Sequence, residues 1–184
     1  MKDESTPDEL IHYWFSDDVA KRWFNSTEEF DSQLRERYLD AYESASHGHL
    51  DHWRDTALGS LALVILFDQI PLNIFRGQAR SFATEEQARR VAGIAIKHGF
   101  DQQLTGKQKA FLYMPFMHSE NMQDQNFSVA LYEKAGLEDN LRFAKHHRAI
   151  IERFGRFPHR NAILKRKSTP EELAYLDSPE AFHG

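Results

Sequence analysis

An apolar helix near the middle of the chain constrains the fold more than any other feature. Thr56 forms a helix start, and the helix that follows has almost no polar face, because Leu58 and every residue from Leu61 to Phe67 are apolar. A helix that is apolar on all sides must be buried on all sides, so other helices have to surround it. Pro71 is predicted to end or kink it, since proline has no N–H to donate and clashes with the preceding turn.

Helix start signals recur along the rest of the chain. Thr6-Pro7-Asp8-Glu9 combines a capping Thr, a Pro at the first helical position and a Glu that closes a capping box. Thr84 and Ser119 are predicted to cap two further helices. From Phe30 to Ala45 apolar residues recur at steps of three and four, which is typical of a surface helix. No segment alternates long enough to predict a strand. We therefore predict an all-α protein with eight or nine helices in antiparallel pairs, forming a single domain over residues 1–184.

Helix ends are also marked in the sequence. Pro115 is predicted to end one helix, and Gly136 and Gly155 are predicted to end the two helices that follow. Ser178 to Gly184 are expected to fray, because they lie beyond the last predicted helix.

The composition excludes several classes of protein. A net charge of −5 argues against a general nucleic-acid or acidic-membrane binder, which needs an excess of Lys and Arg. The run Lys165-Arg166-Lys167 is interpreted as a solvated surface segment. The chain has no cysteine, which excludes disulfides, thiolate zinc sites and a Cys nucleophile. The longest apolar run, Leu61 to Phe67, is too short to span a bilayer. We predict a cytoplasmic protein with no cofactor, no nucleic-acid partner and no membrane partner; a homo-oligomer stays open.

The densest group of hydrogen-bond donors is the segment Arg153 to Arg166 (RFGRFPHRNAILKR), called here the arginine segment. Arg156 and Arg160 lie around a Gly-Arg-Phe-Pro turn, where planar guanidinium groups can hold a phosphate or carboxylate by paired hydrogen bonds. Alternatively, the arginines tie helix ends together through Asp68, Glu120 or backbone carbonyls. The residues alone leave both interpretations open.

A second polar cluster ends the apolar helix. Asp68, Gln69, Asn73 and Arg76 follow directly after the apolar residues. A carboxylate at the end of so apolar a helix is expected to be partly buried and paired. We predict a salt bridge between Asp68 and an arginine of the arginine segment.

Histidines and carboxylates also follow Pro115 and recur near the C-terminus. His118, Glu120, His147 and His159 have spacings that match no helical metal motif, so we predict no metal site and interpret these histidines as hydrogen-bonded groups beside the core. Ser119 with a nearby His and Asp suggests a nucleophilic triad, but it lacks the glycine-flanked turn that exposes such a nucleophile.

Three long segments resemble the DUF924 family of bacterial proteins: Leu66 to Gly77 (LFDQIPLNIFRG), Phe111 to Gln125 (FLYMPFMHSENMQDQ) and Ile150 to Arg166 (IIERFGRFPHRNAILKR). The resemblance extends roughly from Tyr13 to Phe182. It implies an all-α, tetratricopeptide-like superhelix of stacked antiparallel helices, and it brings no established activity. Carried over to this sequence, the motif residues of the family are Asp68, Gln69, Pro71, Asn73, Phe75, Arg76, Gly77, Pro115, His118, Ser119, Glu120, Gln125, His147, Arg153, Phe154, Gly155, Arg156, Phe157, Pro158, His159, Arg160 and Asn161.

Two positions depart from the family pattern as the resemblance gives it. Leu72 stands where the family usually has Arg, and Lys165 stands where it usually has Gly. If the usual Arg contacts a ligand, Leu72 weakens the hypothesis of an anionic ligand at that point.

Three functions are compatible with these residues. The leading hypothesis is a binding module for an anionic small molecule or a peptide carboxylate, in a cleft formed by the three polar segments. Its expected ligand-binding residues are Asp68, Gln69, Asn73, Arg76, His118, Glu120, His147, Arg153, Arg156, His159, Arg160 and Asn161.

The second hypothesis is a hydrolase of a phosphorylated or carboxylated small molecule, with His118, Glu120 and His159 as catalytic candidates. The third is a structural or protein-interaction role, in which the polar motifs form a buried lock. Its partner surface would be made by exposed aromatic residues such as Trp14, Phe15 and Trp23.

Overall fold

A computed structural model describes residues 5–184 of the chain. Within this range it contains nine α-helices and no strand, which confirms the predicted all-α class. The helices are α1 (Pro7–Trp14), α2 (Asp17–Ala20), α3 (Glu28–Ser46), α4 (Ala57–Ile74), α5 (Glu85–Lys97), α6 (Gly106–Met117), α7 (Met122–Ala135), α8 (Glu138–Phe154) and α9 (Pro170–Leu176). Short 3-10 turns occur at Asp51–Asp55, Ala79–Phe82, Phe100–Gln103 and Pro158–Arg160.

The helices group into two compact units. The first unit contains residues 5–76 and Arg80–Pro115, and the second contains Gly77–Ala79 and Phe116–Gly184. The single domain and the tetratricopeptide-like superhelix stay predictions, because they concern the arrangement of the whole chain.

Helix α4 forms the core of the first unit. Every side chain from Leu61 to Phe67 is fully buried, and α4 packs against α1, α3 and α5. Ala57–Ile74 has a mean hydropathy of 1.7, so by length and composition it could cross a membrane, but 89% of it is buried inside the protein. Its apolar surface is therefore already covered, as in the core helix of a soluble protein. A cytoplasmic location stays a prediction.

Pro71 does not end the helix where the sequence predicts. Helix α4 continues to Ile74, and it widens into a π-helical segment over Ile65–Gln69 just before the proline. Pro71 has no N–H to give to the carbonyl of Phe67 four residues earlier. The hydroxyl of Thr84 replaces it, donating a hydrogen bond to the Phe67 oxygen at 2.7 Å. Thr84 does stand at the start of α5, as predicted, but its side chain serves α4 instead of capping α5.

The Thr84 bond gives a testable prediction. Thr84 is buried, so Thr84→Val keeps the shape but leaves the Phe67 carbonyl without its donor. We expect Thr84→Val to lower the free energy of unfolding by about 1–3 kcal/mol, the usual cost of an unsatisfied buried group. Thr84→Ser keeps the hydroxyl, so its free energy of unfolding should fall clearly less than that of Thr84→Val. Urea denaturation measures both, and equal losses in the two variants would contradict this role of the hydroxyl.

The second unit is built on a helix hairpin. Gly136 adopts a left-handed conformation with φ of 66° between α7 and α8, and α8 ends at Gly155, as predicted.

Two predicted helix boundaries, the end of α6 and the start of α7, are wrong. Helix α6 continues through Pro115 to Met117, and the cap of α7 is Asn121, whose side chain accepts hydrogen bonds from two backbone N–H groups. Ser119 instead donates to Asp124 at 2.6 Å.

The predicted fraying of Ser178 to Gly184 is also wrong for part of that segment. Phe182 packs against a small hydrophobic core that contains Ile150, Ile151, Phe157 and Tyr175. The backbone N–H of Phe182 donates to the Tyr175 hydroxyl at 2.9 Å. The tail is therefore anchored to the second unit at this residue.

Candidate functional site

Arg156 is committed to a carboxylate within the protein. Its guanidinium donates to both oxygens of Glu172, at 2.6 and 2.8 Å, and to the carbonyl of Lys167 at 2.9 Å. Glu172 also closes the capping box of α9 by accepting the N–H of Thr169 at 2.8 Å. The hydrogen bonds from Arg156, followed by the Thr169 N–H, lower the pKa of Glu172 to about 2 against the opposing effect of burial. The carboxylate thus stays ionised.

Glu120 holds a second arginine. Arg166 donates to the two Glu120 oxygens at 2.7 and 2.9 Å, and the backbone N–H of Phe157 donates to Oε1 at 2.8 Å. Burial alone would raise the pKa of Glu120, but the hydrogen bonds from Arg166 and Phe157 lower it. The interpretation of Lys165-Arg166-Lys167 as a solvated run is therefore wrong for Arg166, whose side chain is only 23% exposed.

Asn161 connects the two pairs. It is 1% exposed, and its amide donates to Glu172 and to Ser168, each at 3.1 Å. Its oxygen accepts the Nε–H of Arg166 at 3.0 Å. The result is one polar network, called here the polar lock, that joins the start of α9 to the arginine segment and to Glu120.

Arg153 and Arg160 differ in their exposure to solvent. Arg153 forms a largely exposed pair with Glu171 at 3.0 Å, which contributes little to stability. Arg160 is buried and donates to the carbonyl of His118 at 3.0 Å, with its guanidinium 4.8 Å from the centre of the Phe157 ring. The second unit therefore brings together His118, Glu120 and most of the arginine segment, and a ligand at these residues stays a prediction.

Two histidines form an aromatic slot beside the polar lock. The ring of Phe182 lies between His147 and His159, with centroid distances of 4.5 and 5.0 Å. Phe157 contacts both histidines, at 5.5 and 5.7 Å, and His118 lies 6.4 Å from His147. These rings are called here the histidine slot, which is filled by a residue of the chain's own tail.

Both slot histidines are held neutral. Burial, together with the nearby His118, lowers the pKa of His147 to about 3, although the bond from its Nδ1 to the Phe143 carbonyl at 2.8 Å opposes this. Burial, followed by the positive charge of Arg160, lowers the pKa of His159 to about 3. Each ring is thus an uncharged aromatic surface at neutral pH.

The polar cluster at the end of α4 lies in the first unit. Asp68 is buried and accepts a hydrogen bond from the Gln69 amide at 2.6 Å, while the Asn73 amide donates to the Gln69 carbonyl at 3.0 Å. Arg76 pairs with Asp31 of α3, at 2.6 and 3.2 Å. The predicted salt bridge between Asp68 and the arginine segment stays a prediction. Asp31 was not foreseen, because nothing in its own helix distinguishes it from other surface acids.

The catalytic candidates are engaged in structural contacts. Both oxygens of Glu120 accept hydrogen bonds from Arg166, and the hydroxyl of Ser119 donates to Asp124, so Ser119 is not arranged as a triad nucleophile activated by histidine. Over residues 5–184, no group of three or more His, Cys, Asp and Glu side chains is arranged to hold a metal ion.

The aromatic surface expected near the N-terminus is smaller than predicted. Trp14 is 1% exposed and packs edge-on against Phe111, so its assignment to a partner surface is wrong. Phe15 and Trp23 are partly covered and also pack against Phe111. The exposed ring of this cluster is that of Phe24, which is 77% exposed.

Comparison with known proteins decides the family. A family described as "Bacterial protein of unknown function (DUF924)" matches residues 10–180. The chain belongs to the DUF924 family. Its fold is similar to the solved structure of a protein of unknown function from Agrobacterium tumefaciens, with 41% identity, a TM-score of 0.88, and coverage of 93% of this chain and 96% of the other. No curated protein matches the chain.

One departure from the DUF924 pattern now has a structural meaning. Lys165 has a φ of 54°, a left-handed conformation that glycine adopts without strain and a side chain disfavours. The Gly that the family resemblance places here fits that backbone. The position lies next to Arg166, so the turn at Lys165 helps to direct the arginine towards Glu120.

Proposed function

We propose that this DUF924 protein is a non-catalytic recognition module that binds a peptide through the histidine slot of its second unit. The ligand is a peptide segment with an aromatic side chain and a nearby carboxylate. One observation carries the proposal: Phe182 already occupies the space between His147 and His159, with its backbone N–H bonded to Tyr175. The tail is thus an internal example of the kind of ligand the slot accepts.

The chemistry of the slot supports an aromatic ligand. Neutral imidazole rings present both faces and edges to a third ring without the cost of burying a charge. The ring-to-ring distances of 4.5 and 5.0 Å lie in the range of favourable aromatic pairs. Arg160 lies 4.8 Å from the centre of the Phe157 ring, which in turn lies 5.7 Å from His159, so its positive charge favours a ligand with a carboxylate on this side of the slot.

The polar lock has a supporting role in this proposal. Arg156 and Arg166 each have two hydrogen bonds to a glutamate, so an external anion would have to replace a carboxylate that is already well placed. We therefore assign these two arginines to holding the arginine segment in place. The slot histidines are the groups we assign to the ligand ring, and Arg160, which keeps its bond to the His118 carbonyl, acts on the ligand only through its charge. The engaged Glu120 and Ser119 side chains give the hydrolase alternative no support.

The test is binding of the tail sequence as a separate peptide. Full-length Phe182→Ala has an empty slot, and we expect it to bind a fluorescent SPEAFHG peptide in a polarisation assay. The wild type should bind at least about tenfold more weakly, because its own Phe182 leaves few slots free. Replacing Phe by Ala in the peptide should abolish binding, and amidating the peptide should weaken it.

Matched variants separate the slot from a general effect of lost aromatic surface. Phe143 is 54% exposed on α8 of the same unit, so Phe143→Ala should bind the peptide no better than the wild type. Phe182→Leu keeps part of the apolar burial but loses the ring contacts, so it should bind the peptide more tightly than the wild type and more weakly than Phe182→Ala, and it replaces Phe182→Ala if that variant is too unstable to purify. Failure of both Phe182 variants to bind the peptide would contradict the proposed function.

A further inference from the structure

We infer that the slot selects peptides of the form aromatic–X–glycine, and that the chain's own tail acts as a competing plug. This inference rests on the proposed function and specifies its ligand. It comes from the position of Gly184, two residues after the ring that fills the slot.

Gly184 lies directly against His159. A Cβ atom added at Gly184 would be 3.2 Å from His159 Cδ2 and 3.4 Å from Nε2, and Gly184 has a φ of +95°. The first distance is tighter than ordinary van der Waals contact, and the φ lies in the region where L side chains are strained. A residue with a side chain at this position would need the His159 ring to move by a few tenths of an ångström and would adopt a strained backbone conformation.

His159 is in contact with two aromatic rings. Its ring lies 5.7 Å from that of Phe157, which is fully buried, and 5.0 Å from that of Phe182. A shift away from Gly184 would disturb the same aromatic contacts that hold the ligand ring. The His159 ring therefore contacts both the aromatic residue in the slot and the glycine position, so a change at one affects the other.

The register of the peptide is fixed at the aromatic residue. The Phe182 ring sits in the slot and its N–H bonds to Tyr175 Oη, so the residue two positions later must arrive beside His159. His183, between them, is exposed, and its effect on His159 is smaller than those of Arg160, Glu120 and His118. The recognised sequence is thus an aromatic residue, any residue, and glycine.

The specificity test uses full-length Phe182→Ala and peptides that end in FHG, FHA, FKG and AHG. We expect FHG and FKG to bind equally, FHA to bind at least about tenfold more weakly, and AHG not to bind. Equal binding of FHG and FHA would overturn the glycine requirement while leaving the proposed function intact. If no Phe-containing peptide binds, the proposed function itself fails.

The plug is tested in the otherwise unchanged chain. Gly184→Ala should loosen the tail and raise the affinity for the FHG peptide towards that of Phe182→Ala, about tenfold above the wild type. Phe143→Ala alters an exposed residue of α8 outside the slot and should leave the affinity at the wild-type level. A Gly184→Ala protein that binds as weakly as the wild type would overturn the plug.

Discussion

Lowering the pH from 7 to 5 is expected to reduce the free energy of unfolding by about 2 kcal/mol for each of the two slot histidines. The pKa values of His147 and His159 fall from 6.5 to about 3 in the folded protein, chiefly through burial. Between these values the unfolded chain binds a proton at each histidine and the folded protein does not. Stability is therefore fully present above pH 6.5 and is lost as the pH falls towards 3.

The surroundings of the two rings support this direction. His147 faces His118 and His146, and His159 faces Arg160, His118 and His183, so a proton on either ring would meet positive or protonatable groups. Glu120 acts in the opposite sense on His159 but is a smaller influence than burial and Arg160. The carboxylates of the polar lock titrate lower: the pKa of Glu172 is about 2, so its contribution is lost only below about pH 4.5.

Urea denaturation at pH 7, 6 and 5 and constant ionic strength measures the effect. His147→Asn and His159→Gln each remove one titrating ring, and each should flatten the pH dependence by about half. His12→Gln removes an exposed histidine of α1 and serves as the matched control. A wild type that is equally stable at pH 7 and pH 5 would show that protons reach the rings without cost, and that the slot is open to water.

The helices could be predicted from local sequence because their signals are local. The capping box at Thr6 forms as the residues indicate, and the apolar run of α4 is buried on all sides. Pro71 shows where local rules end. The sequence shows that a carbonyl loses its donor, but Thr84, which restores the bond, stands 17 residues from Phe67 and reaches it only in the folded unit.

The partners of the arginines could not be predicted for the same reason. Arg156 and Glu172 are 16 residues apart, and Arg166 and Glu120 are 46 apart. The capping pattern identifies Glu172 as the end of a capping box, and a glutamate in that role is usually solvent-facing on one side. Its second role, as the partner of Arg156, depends on how the arginine segment turns back towards α9. Donor density in the sequence therefore indicated an important segment without distinguishing a lock from a ligand site.

Phe182 was missed because its signal is weak. A single aromatic residue in a polar tail after the last helix has the composition of a segment that frays. What holds it is the set of rings of His147, Phe157 and His159, contributed by α8 and the arginine segment. Those histidines were predicted as hydrogen-bonded groups beside the core, and their use as an aromatic surface follows only from their burial.

Removing Glu172 is expected to be the most damaging single change to the polar lock. Glu172→Ala removes the carboxylate that accepts from Arg156, Asn161 and the Thr169 N–H, and so also breaks the capping box of α9. We expect the free energy of unfolding to fall by about 3 kcal/mol, because the charge-assisted pair with Arg156 and the bonds from Asn161 and Thr169 are lost together, while the cap from the Thr169 hydroxyl is kept. Chemical denaturation measures the loss.

The variants of Glu172 and its partner also distinguish a lock from a ligand site. Glu172→Gln keeps the shape of the side chain and part of the capping box, so its free energy of unfolding should fall less than that of Glu172→Ala. In a double-mutant cycle, Arg156→Ala and Glu172→Ala should be strongly non-additive, because either change alone already breaks the same pair. Additive losses would mean that the pair is not coupled.

Inorganic phosphate gives a second test. If it stabilises Glu172→Ala but not the wild type, Arg156 can hold an anion once its internal carboxylate is gone. The polar lock would then be a site closed by Glu172, and the arginine segment would combine both roles that its sequence left open.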